Sequence, residues 1–366
     1  MVVLLAVSIV AVVLQQALRH IDYNFAIFRL SYHHLAAGQD LYAAYPAQQA
    51  DLFKYSPTFA VLFAPFALIP PLPALVLWDA TNVFLLWFAI RRLLPSPQAN
   101  LALGLMYLEV LHTTQRAQSN ALVTALMVLA WVWMEERRQM AAALAVVLGA
   151  AIKLFPALAI IPAVFHPRRL RMTVLTVFGG VVALLLPLLV TSGSLLATQY
   201  ASWRALEVRE SGAGAEGGAA GLYGGVMHWV HQVFHTGWPN WTIQLGGLVL
   251  LAAPLARVER WAEAGFRLRV LCSILLFSTI FNHQVEGPTF VIAMTGVAIW
   301  FVISRRTAVD VVLLSAVLLV VSLGSNDLMP HAFRDYVAQH KLKTLPCLAV
   351  WIVLQAELLG LRRCDG

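Results

Sequence analysis

Residues 119–138 read SNALVTALMVLAWVWMEERR, an apolar run that ends in two glutamates and two arginines. An apolar helix of this kind can cross most of the ~30 Å hydrocarbon layer of a bilayer. Lys and Arg gather at the cytoplasmic ends of membrane helices, so the arginine pair also indicates an orientation. The stretch therefore predicts a transmembrane helix whose C-terminal end faces the cytoplasm.

The same kind of run recurs along the whole chain. Of the 366 residues, 60% are hydrophobic and 12% are charged, and the mean hydropathy is +0.76, whereas soluble domains carry about 25% charged residues. We therefore predict an all-α, polytopic transmembrane bundle of about 12 spans that forms a single domain over residues 1–366. The long runs lie at 2–18, 73–90, 119–134, 172–191, 240–256, 268–281, 289–304, 307–323 and 343–361, and shorter ones lie at 57–70, 100–112, 140–152 and 154–165.

The basic residues indicate sidedness. The net charge is +7 and the pI is near 9.6, but Lys and Arg fall in short clusters between apolar runs, which is typical of membrane topology and argues against nucleic acid as a partner. The clusters are Arg91/Arg92, Arg137/Arg138, Arg168/Arg169/Arg171, Arg257/Arg260/Arg267/Arg269, Arg305/Arg306 and Arg362/Arg363. If all face the cytoplasm, the first external loop is 19–56 and a large external loop is 192–238. Segment 57–70 must then dip into the membrane and return, which its prolines favour.

Both external loops contain helical patterns. Phe25, Phe28, Tyr32 and Leu35 recur at helical spacing and predict an amphipathic helix along the membrane surface. A second pattern, in GVMHWVHQVFHTGWPNW, predicts an interfacial helix with tryptophans at headgroup depth. The Gly-rich segment 211–221 between them predicts a mobile loop. The first run has no basic segment before it and no cleavage site after it, so it predicts a retained span rather than a signal peptide.

Polar residues that interrupt the apolar pattern are the candidates for chemistry. Asp22, Asp40 and Asp51 lie in the first external loop, where a carboxylate can act as a general base; alternatively, they are ordinary solvated loop acids. Charges inside membrane spans are rare and face a cavity or a partner, so the polar residues in or beside the apolar runs are also candidates. Alternatively, these residues form pairs that stabilise helix contacts. These are Glu109, His112, Gln115, Arg116, Gln118, Asn120, Lys153, His283 and Glu286. Tyr42, Tyr45 and Tyr55 suit interfacial anchors as well as substrate contacts.

Several of these residues belong to motifs that resemble glycosyltransferase family 87, a group of polytopic enzymes of the GT-C type. The matching stretches are GQDLYAAYP, DLFKYSPTFAVLFAPFALIP, LWDATNVF, QRAQSNAL, AAIKLFP, FNHQVEGPTFVIA and DLMPHAFRDYVAQHKLKTLPCLAVW. The resemblance runs from about residue 24 to 351 and implies a polyprenyl-phosphate sugar as donor, with mannose as the sugar in the best-known members. The sequence departs from the family at one position. The family usually begins its first external loop with an Asp, and here that position falls on Asn24. An amide cannot act as a base, so Asp22, Asp40 and Asp51 are the alternatives.

The resemblance implies an inverting hexosyl transfer on the external, periplasmic side of an inner (plasma) membrane. Lys153, Lys54 or Lys343 would hold the donor phosphate, since fixed cations stabilise the charge that develops as the glycosidic bond breaks. His283 and Glu286 would lie near the donor phosphate or the acceptor, and Tyr55, Gln115 and Asn120 would contact substrate. The expected partners are membrane lipids, the lipid-linked donor and a glycan or glycolipid acceptor.

No cofactor other than the donor substrate is expected. The three cysteines form no metal or redox motif, no P-loop or Rossmann fingerprint is present, and dependence on a divalent metal stays open. The alternative function is a transporter or flippase of lipid-linked sugars, or a protein that binds them without catalysis. A purely structural scaffold leaves the many intramembrane polar groups unexplained.

Overall fold

The fold of the computed structural model is helical in every part that it describes, which comprises residues 1–19, 23–213, 224–326 and 328–362. No strand occurs in these ranges, so the all-α prediction is confirmed for them. The α-helices are α1 Val2–Arg19, α2 Tyr23–Ala36, α3 Pro57–Leu62, α4 Ala64–Ala67, α5 Pro71–Leu93, α6 Ser96–Leu105, α7 Tyr107–Gln115, α8 Asn120–Glu135, α9 Gln139–Ile152, α10 Arg169–Leu185, α11 Gly193–Ala213, α12 Val226–Phe234, α13 Asn240–Ala252, α14 Ala264–Ile280, α15 Phe290–Ile303, α16 Ala308–Val317, α17 His331–Gln339 and α18 Thr344–Leu359.

Few of the described helices reach the length of a complete membrane span. Pro71–Leu93 and Arg169–Leu189 are long and apolar enough to cross a membrane, and His331–Gln339 with Thr344–Leu359 would make a third span with a 62° bend. The other apolar helices, such as Asn120–Glu135, contain 10–17 residues. The count of about 12 spans therefore stays a prediction.

The chain divides into two compact units. Unit 1 contains Met1–Leu93 and Leu111–Arg209, and unit 2 contains Leu94–Val110 and Glu210–Gly366. The prediction of a single domain over the whole chain is not tested by this division.

In unit 1, the aromatic face of α2 is buried in protein. Phe28 is 0% exposed, and its ring makes edge contacts with Phe59 of α3 and with Trp78 of α5 at centroid distances of 5.2 and 5.9 Å. The prediction of an amphipathic helix here is confirmed, but its apolar face covers α3 and α5 instead of lipid. Interlocking aromatic rings contribute more than their area alone, which explains why this face turns inward.

Prolines set the local structure of two short apolar runs. Segment 57–70 is broken into α3 and α4, as predicted, while its return to the same membrane face is untested. Residues Phe155–Phe165 form a 3₁₀ helix that contains Pro156 and Pro162. Proline lacks the N–H that an α-helix needs in its interior, so this run cannot continue as an ordinary α-helix.

The two ends of α8 have different chemistry. At its C-terminal end, Glu136 forms an ion pair with Arg92, which lies in the last turn of α5. At its N-terminal end, Asn120 contacts Lys153, the residue that ends α9. A 16-residue helix separates these two ends by about 24 Å. Within unit 1, the arginine cluster and the candidate lysine thus lie at opposite ends of the same helix.

In unit 2, as in unit 1, arginine ion pairs and candidate site residues lie at opposite ends of the helices. Glu357, near the end of α18, accepts a hydrogen bond from Trp300 at 3.2 Å and pairs with Arg269 and Arg362 at 3.5 and 3.3 Å. Arg362 also pairs with Asp310 at the start of α16, at 2.7 Å. One end of α14, α15, α16 and α18 is therefore tied together by arginines, while His283, Glu286 and Lys343 lie at the other end of three of these helices.

Helix α11 occupies much of the segment predicted as a large external loop at 192–238. It extends to Ala213, and the glycine-rich stretch that follows lies, from residue 214, outside the described residues. The predicted helix in GVMHWVHQVF is confirmed as α12, which begins at Val226. Val233 and Phe234 at its C-terminal end are 60% and 68% exposed, as expected for a helix whose apolar residues meet lipid.

Candidate functional site

The best-defined polar cluster of unit 1 is built around Lys153. This residue ends α9 in an extended conformation, and Nζ donates a hydrogen bond to Oδ1 of Asn120 at 2.7 Å. Asn120 is 1% exposed and is the first residue of α8. A cation at the C-terminal end of a helix is stabilised by the helix dipole, so the end of α9 favours a charged lysine here.

The ring of Tyr55 forms a second wall beside the same ammonium group. Lys153 Nζ lies 5.6 Å from the centroid of this ring, within the range of a cation–π interaction. The Tyr55 hydroxyl donates to Oε1 of Gln118 at 3.2 Å, and the ring contacts Phe28 and Phe59 at 4.9 and 5.0 Å. The structure thus brings together Tyr55, Asn120 and Lys153, three of the predicted site residues.

A strained turn presents the polar side chains from 118 to 120. Ala117 has a φ of 48°, a left-handed conformation that is costly for a residue with a Cβ. The indole of Trp78 donates to the Ala117 carbonyl at 2.9 Å, and Ala117 is fully buried. Strain held in place by the surrounding structure is typical of functional sites.

Asp40 has a role in anchoring its loop. Its carboxylate accepts hydrogen bonds from the backbone N–H of Tyr42 at 3.1 Å and from the hydroxyl of Ser202 at 3.2 Å. Gln199 of α11 accepts from the N–H of Leu41 at 3.0 Å and donates to the carbonyl of Gln39 at 2.8 Å. The GQDLY motif is therefore docked on α11. Burial raises the pKa of the Tyr42 hydroxyl well above its usual range, so this group stays neutral.

The remaining candidates for the base differ in their surroundings. Asp51 is 60% exposed and pairs with Lys54 at 3.2 Å. The side-chain amide of Asn24 donates to the carbonyl of Arg116 at 2.9 Å, one residue before Ala117. Asp22, the first choice from sequence, lies outside the described residues. Gln115 instead donates to Gln15 of α1 at 3.5 Å, away from the Lys153 cluster.

Unit 2 contains a second polar cluster, formed by the loop after α14. Nε2 of His283 is buried and has no hydrogen-bond partner within the described part of the chain. Burial lowers the pKa of the His283 imidazole, and Glu210 partly opposes this shift. The backbone N–H of Glu286 donates to the hydroxyl of Thr289 at 3.3 Å, and the Glu286 residue is exposed. This loop places one imidazole and one carboxylate just before α15.

Lys343 lies at the bend between α17 and α18 and is 9% exposed. Its Nζ is 5.4 Å from the centroid of Phe290, the residue that begins α15 directly after the loop of His283 and Glu286. Among the residues that the structure describes, this Nζ has no hydrogen-bond partner, while the Glu109 carboxylate attracts it electrostatically. Unit 2 thus brings the predicted Lys343 to the base of the predicted loop.

One buried acid was not among the sequence predictions. Asp79 in α5 is 1% exposed, and its Oδ2 has no hydrogen-bond partner among the described residues. Its neighbour Trp78 holds the Ala117 turn, and Asn82, one turn further, accepts from the N–H of Leu122 at 3.0 Å. The signal in the sequence was an acid within the apolar run 73–90, which is rare and usually functional in a membrane helix.

Within the described ranges, no group of three or more His, Cys, Asp or Glu side chains could hold a metal ion.

Apolar helices with arginine ion pairs near their ends indicate an integral membrane protein. The model of glycosyltransferase family 87 matches residues 53–281, more than half of the chain. The chain belongs to this family, which confirms the resemblance seen in the sequence and supports glycosyltransferase activity. The matched region includes the complete Lys153 cluster. No curated protein matches the chain.

Proposed function

We propose that this protein transfers a hexose, with mannose the first candidate, from a polyprenyl-phosphate donor to an external or lipid-linked acceptor, with inversion. The observation that carries the proposal is the Lys153 ammonium, fixed by Asn120 and Tyr55 at the end of α8 that lies away from the Arg92–Glu136 pair. If arginines mark the cytoplasmic side, this cluster lies on the external, periplasmic side of an inner (plasma) membrane. Nucleotide sugars do not reach that side, which favours a lipid-linked donor.

The chemistry requires one cation and one base. The acceptor hydroxyl oxygen attacks the anomeric carbon, the bond from that carbon to the phosphate oxygen breaks, and the electron pair leaves with the polyprenyl phosphate. The phosphate gains a second negative charge in this step, so a fixed ammonium such as that of Lys153 stabilises the transition state more than the ground state. Lys54 and Lys343 are the other candidates for this role, and His283 and Glu286 would contact the donor phosphate or the acceptor.

The acceptor proton must go to a carboxylate. Asp22 is proposed first, with Asp40 and Asp51 as alternatives. The contacts of Asp40 with Tyr42 and Ser202 indicate an anchoring role, while Asp51 is exposed beside Lys54. No step in this scheme needs a cofactor, and divalent metal dependence is an outcome of the assay.

The test uses purified protein in lipid nanodiscs with radiolabelled polyprenyl-phosphate mannose and a membrane lipid extract as acceptor. We expect acceptor-dependent release of polyprenyl phosphate, which falls at least about 100-fold in Lys153→Ala because a fixed charge is lost at the developing anion. Arg171→Ala, an exposed cation in α10, is the matched control and should retain full activity. A folded Lys153→Ala variant with parental activity would contradict the phosphate role.

The base is found by comparing Asp22→Asn, Asp40→Asn and Asp51→Asn in the same assay. One of these variants should lose nearly all transfer while still binding the donor. If all three transfer the sugar at the parental rate, none of them is the base.

A transporter, flippase or non-catalytic binder is the second candidate. Two observations favour it: the 62° break at Lys343 between α17 and α18, since broken helices often form transporter sites, and the amide of Asn24 in place of a carboxylate. This candidate predicts movement of a fluorescent lipid-linked sugar between leaflets with its glycosidic bond intact. Release of free polyprenyl phosphate in step with sugar transfer would exclude it.

A further inference from the structure

We infer that Asn24 is a positioning residue, because its side-chain amide donates to the carbonyl of Arg116 and so fixes the turn that leads into α8. This turn carries Asn120, a hydrogen-bond partner of Lys153. The inference rests on the proposed phosphate role of Lys153. It assigns position 24 to a hydrogen-bond donor, a role that an ionised carboxylate cannot fill.

The C-terminal end of α7 contacts the side chain of Gln16 from α1. The last carbonyls of a helix have no partner within it, and α7 ends at Gln115. Gln16 Nε2 donates to the carbonyls of Thr114 and Gln115 at 3.1 and 3.3 Å, and Gln16 is 3% exposed. This buried amide therefore satisfies the carbonyls that lie just before the turn.

The next two carbonyls belong to the turn, and each accepts a hydrogen bond from a different helix. Asn24 Nδ2 of α2 donates to the Arg116 carbonyl at 2.9 Å. The indole of Trp78 in α5 donates to the Ala117 carbonyl at 2.9 Å. Ala117 has a φ of 48°, a conformation that a residue with a Cβ keeps only where its surroundings impose it. Asn24 and Trp78 are thus two of the groups that hold this turn.

The turn sets the position of the amide that contacts Lys153. Asn120 begins α8 three residues after Ala117, and its Oδ1 accepts from Lys153 Nζ at 2.7 Å. Because Asn120 is 1% exposed, packing limits the movement of its side chain relative to the turn. A displacement of about 1 Å in a site can reduce the rate by roughly 100-fold. A loosened turn would therefore weaken the placement of the ammonium beside a phosphate.

The direction of the hydrogen bond determines which side chains suit position 24. A carbonyl oxygen only accepts, so its partner must donate. The amide of Asn24 donates, whereas an ionised carboxylate has no proton to give. Asn24→Asp would bring two acceptor oxygens together at the Arg116 carbonyl. The bond that Asn24 makes therefore explains an amide at this position without any loss of chemistry.

The test measures binding of decaprenyl phosphate to the full-length protein in nanodiscs, with decaprenol as the phosphate-free probe. Asn24→Ala and Asn24→Asp should each weaken decaprenyl phosphate binding about threefold to tenfold, as the loss of one hydrogen bond predicts, and leave decaprenol binding unchanged. Asn24→Asp keeps the shape of the half-buried side chain, so it carries the test if Asn24→Ala unfolds too easily. Gln48→Ala is the matched control, since the Gln48 amide bonds the ring of His34 at 2.8 Å and not the turn. It should bind both probes as the parent does.

A double-mutant cycle separates positioning from other roles. In a Lys153→Ala background, Asn24→Ala should have no further effect on decaprenyl phosphate binding, because Asn24 acts through the ammonium. A full additional loss in this background would mean that Asn24 acts on the phosphate independently of Lys153. An equal loss of decaprenol binding would mean that the variant only disturbs the fold. Either result would overturn the inference.

Sugar transfer gives a second check on the donor role. Transfer by Asn24→Asp should fall below the parental rate, together with decaprenyl phosphate binding. If this variant transfers the sugar as fast as the parent or faster, position 24 accepts a carboxylate and the donor role is overturned.

Failure of the inference can be distinguished from failure of the proposed function. If Lys153→Ala weakens decaprenyl phosphate binding while both Asn24 variants bind as the parent does, the inference is overturned and the phosphate role of Lys153 stands. If Lys153→Ala itself binds decaprenyl phosphate normally, both are overturned.

Discussion

The indole nitrogen of Trp78 lies 2.9 Å from the carbonyl oxygen of Ala117, and this hydrogen bond joins a membrane helix to the turn that begins the Lys153 cluster. Trp78 is 1% exposed and Ala117 is fully buried. A left-handed alanine persists only where neighbouring groups hold it. The bond therefore links the packing of α5 to the geometry of Asn120 and Lys153.

Removing this bond should cost stability. Trp78→Phe keeps an aromatic ring but leaves a buried carbonyl without its donor, which costs about 1–3 kcal/mol. Trp131→Phe is the matched control, since the Trp131 indole nitrogen is buried without a hydrogen-bond partner in the described part of the chain. Thermal unfolding in detergent should show a larger loss for Trp78→Phe. Equal losses for the two variants would mean that the bond contributes nothing beyond ring packing.

The polarity of α8 predicts a labelling result. Asp51 precedes Tyr55 and is exposed near the Lys153 end of unit 1, and Arg137 is exposed beside the Arg92–Glu136 pair. In a background without Cys272, Cys347 and Cys364, Asp51→Cys should react with an impermeant maleimide added outside intact cells. Arg137→Cys should react only after the membrane is permeabilised. Labelling of both from the same side would remove the support for an external site.

Much of this arrangement could be predicted from the sequence, because apolar runs and arginine clusters are local signals. Such patterns predict the helical class, the broken 57–70 segment, the α12 helix and the grouping of arginines at shared helix ends. Side-chain partners are not local. Nothing in AAIKLFP indicates that Lys153 meets Asn120, which lies 33 positions earlier.

Two differences have clear physical causes. Periodicity showed that α2 has an apolar face, but it could not distinguish lipid from the rings of Phe59 and Trp78, since both are apolar surroundings. The arginine clusters predicted only that 192–238 is external. They could not show that α11 lies there and receives the GQDLY segment through Gln199, because such tertiary contacts leave no local signal in the sequence.

The docking of that segment on α11 can be tested at Gln199. Gln199→Ala removes a side chain that is 1% exposed and makes hydrogen bonds to both Leu41 and Gln39, so unfolding should become easier by about 1–3 kcal/mol. Gln49→Ala is the control, because the buried Gln49 amide has no hydrogen-bond partner among the described residues. Protease cleavage within 39–45 should increase only in Gln199→Ala. An unchanged cleavage pattern would show that the loop is held by other contacts.

His283 gives a prediction of pH dependence. Burial places the pKa of its imidazole below the usual value of 6.5 in the folded protein, so the unfolded chain binds a proton more readily. His283 therefore does not reduce the stability of the folded protein above about pH 6.5, and it reduces that stability increasingly as the pH falls towards the folded pKa. Unfolding temperatures from pH 8 to pH 5 should therefore fall less steeply in His283→Gln than in the parent. The pKa of His228 is also lowered by burial, so part of the slope remains. Identical slopes in the two proteins would exclude His283 as a contributor.

Asp79 offers the last test, because the sequence prediction passed over it and its environment is unusual. A carboxylate oxygen buried without a partner carries a desolvation cost that an uncharged amide of the same shape largely avoids. If Asp79 has only a structural place in α5, Asp79→Asn should unfold at the same or a higher temperature and keep full activity. If a bound substrate or proton uses this oxygen, stability should rise while transfer falls by at least about tenfold, the usual trade between stability and function at a site. Measuring both properties in one preparation distinguishes these cases, and a variant that loses both would show instead that the Asp79 carboxylate has a stabilising partner.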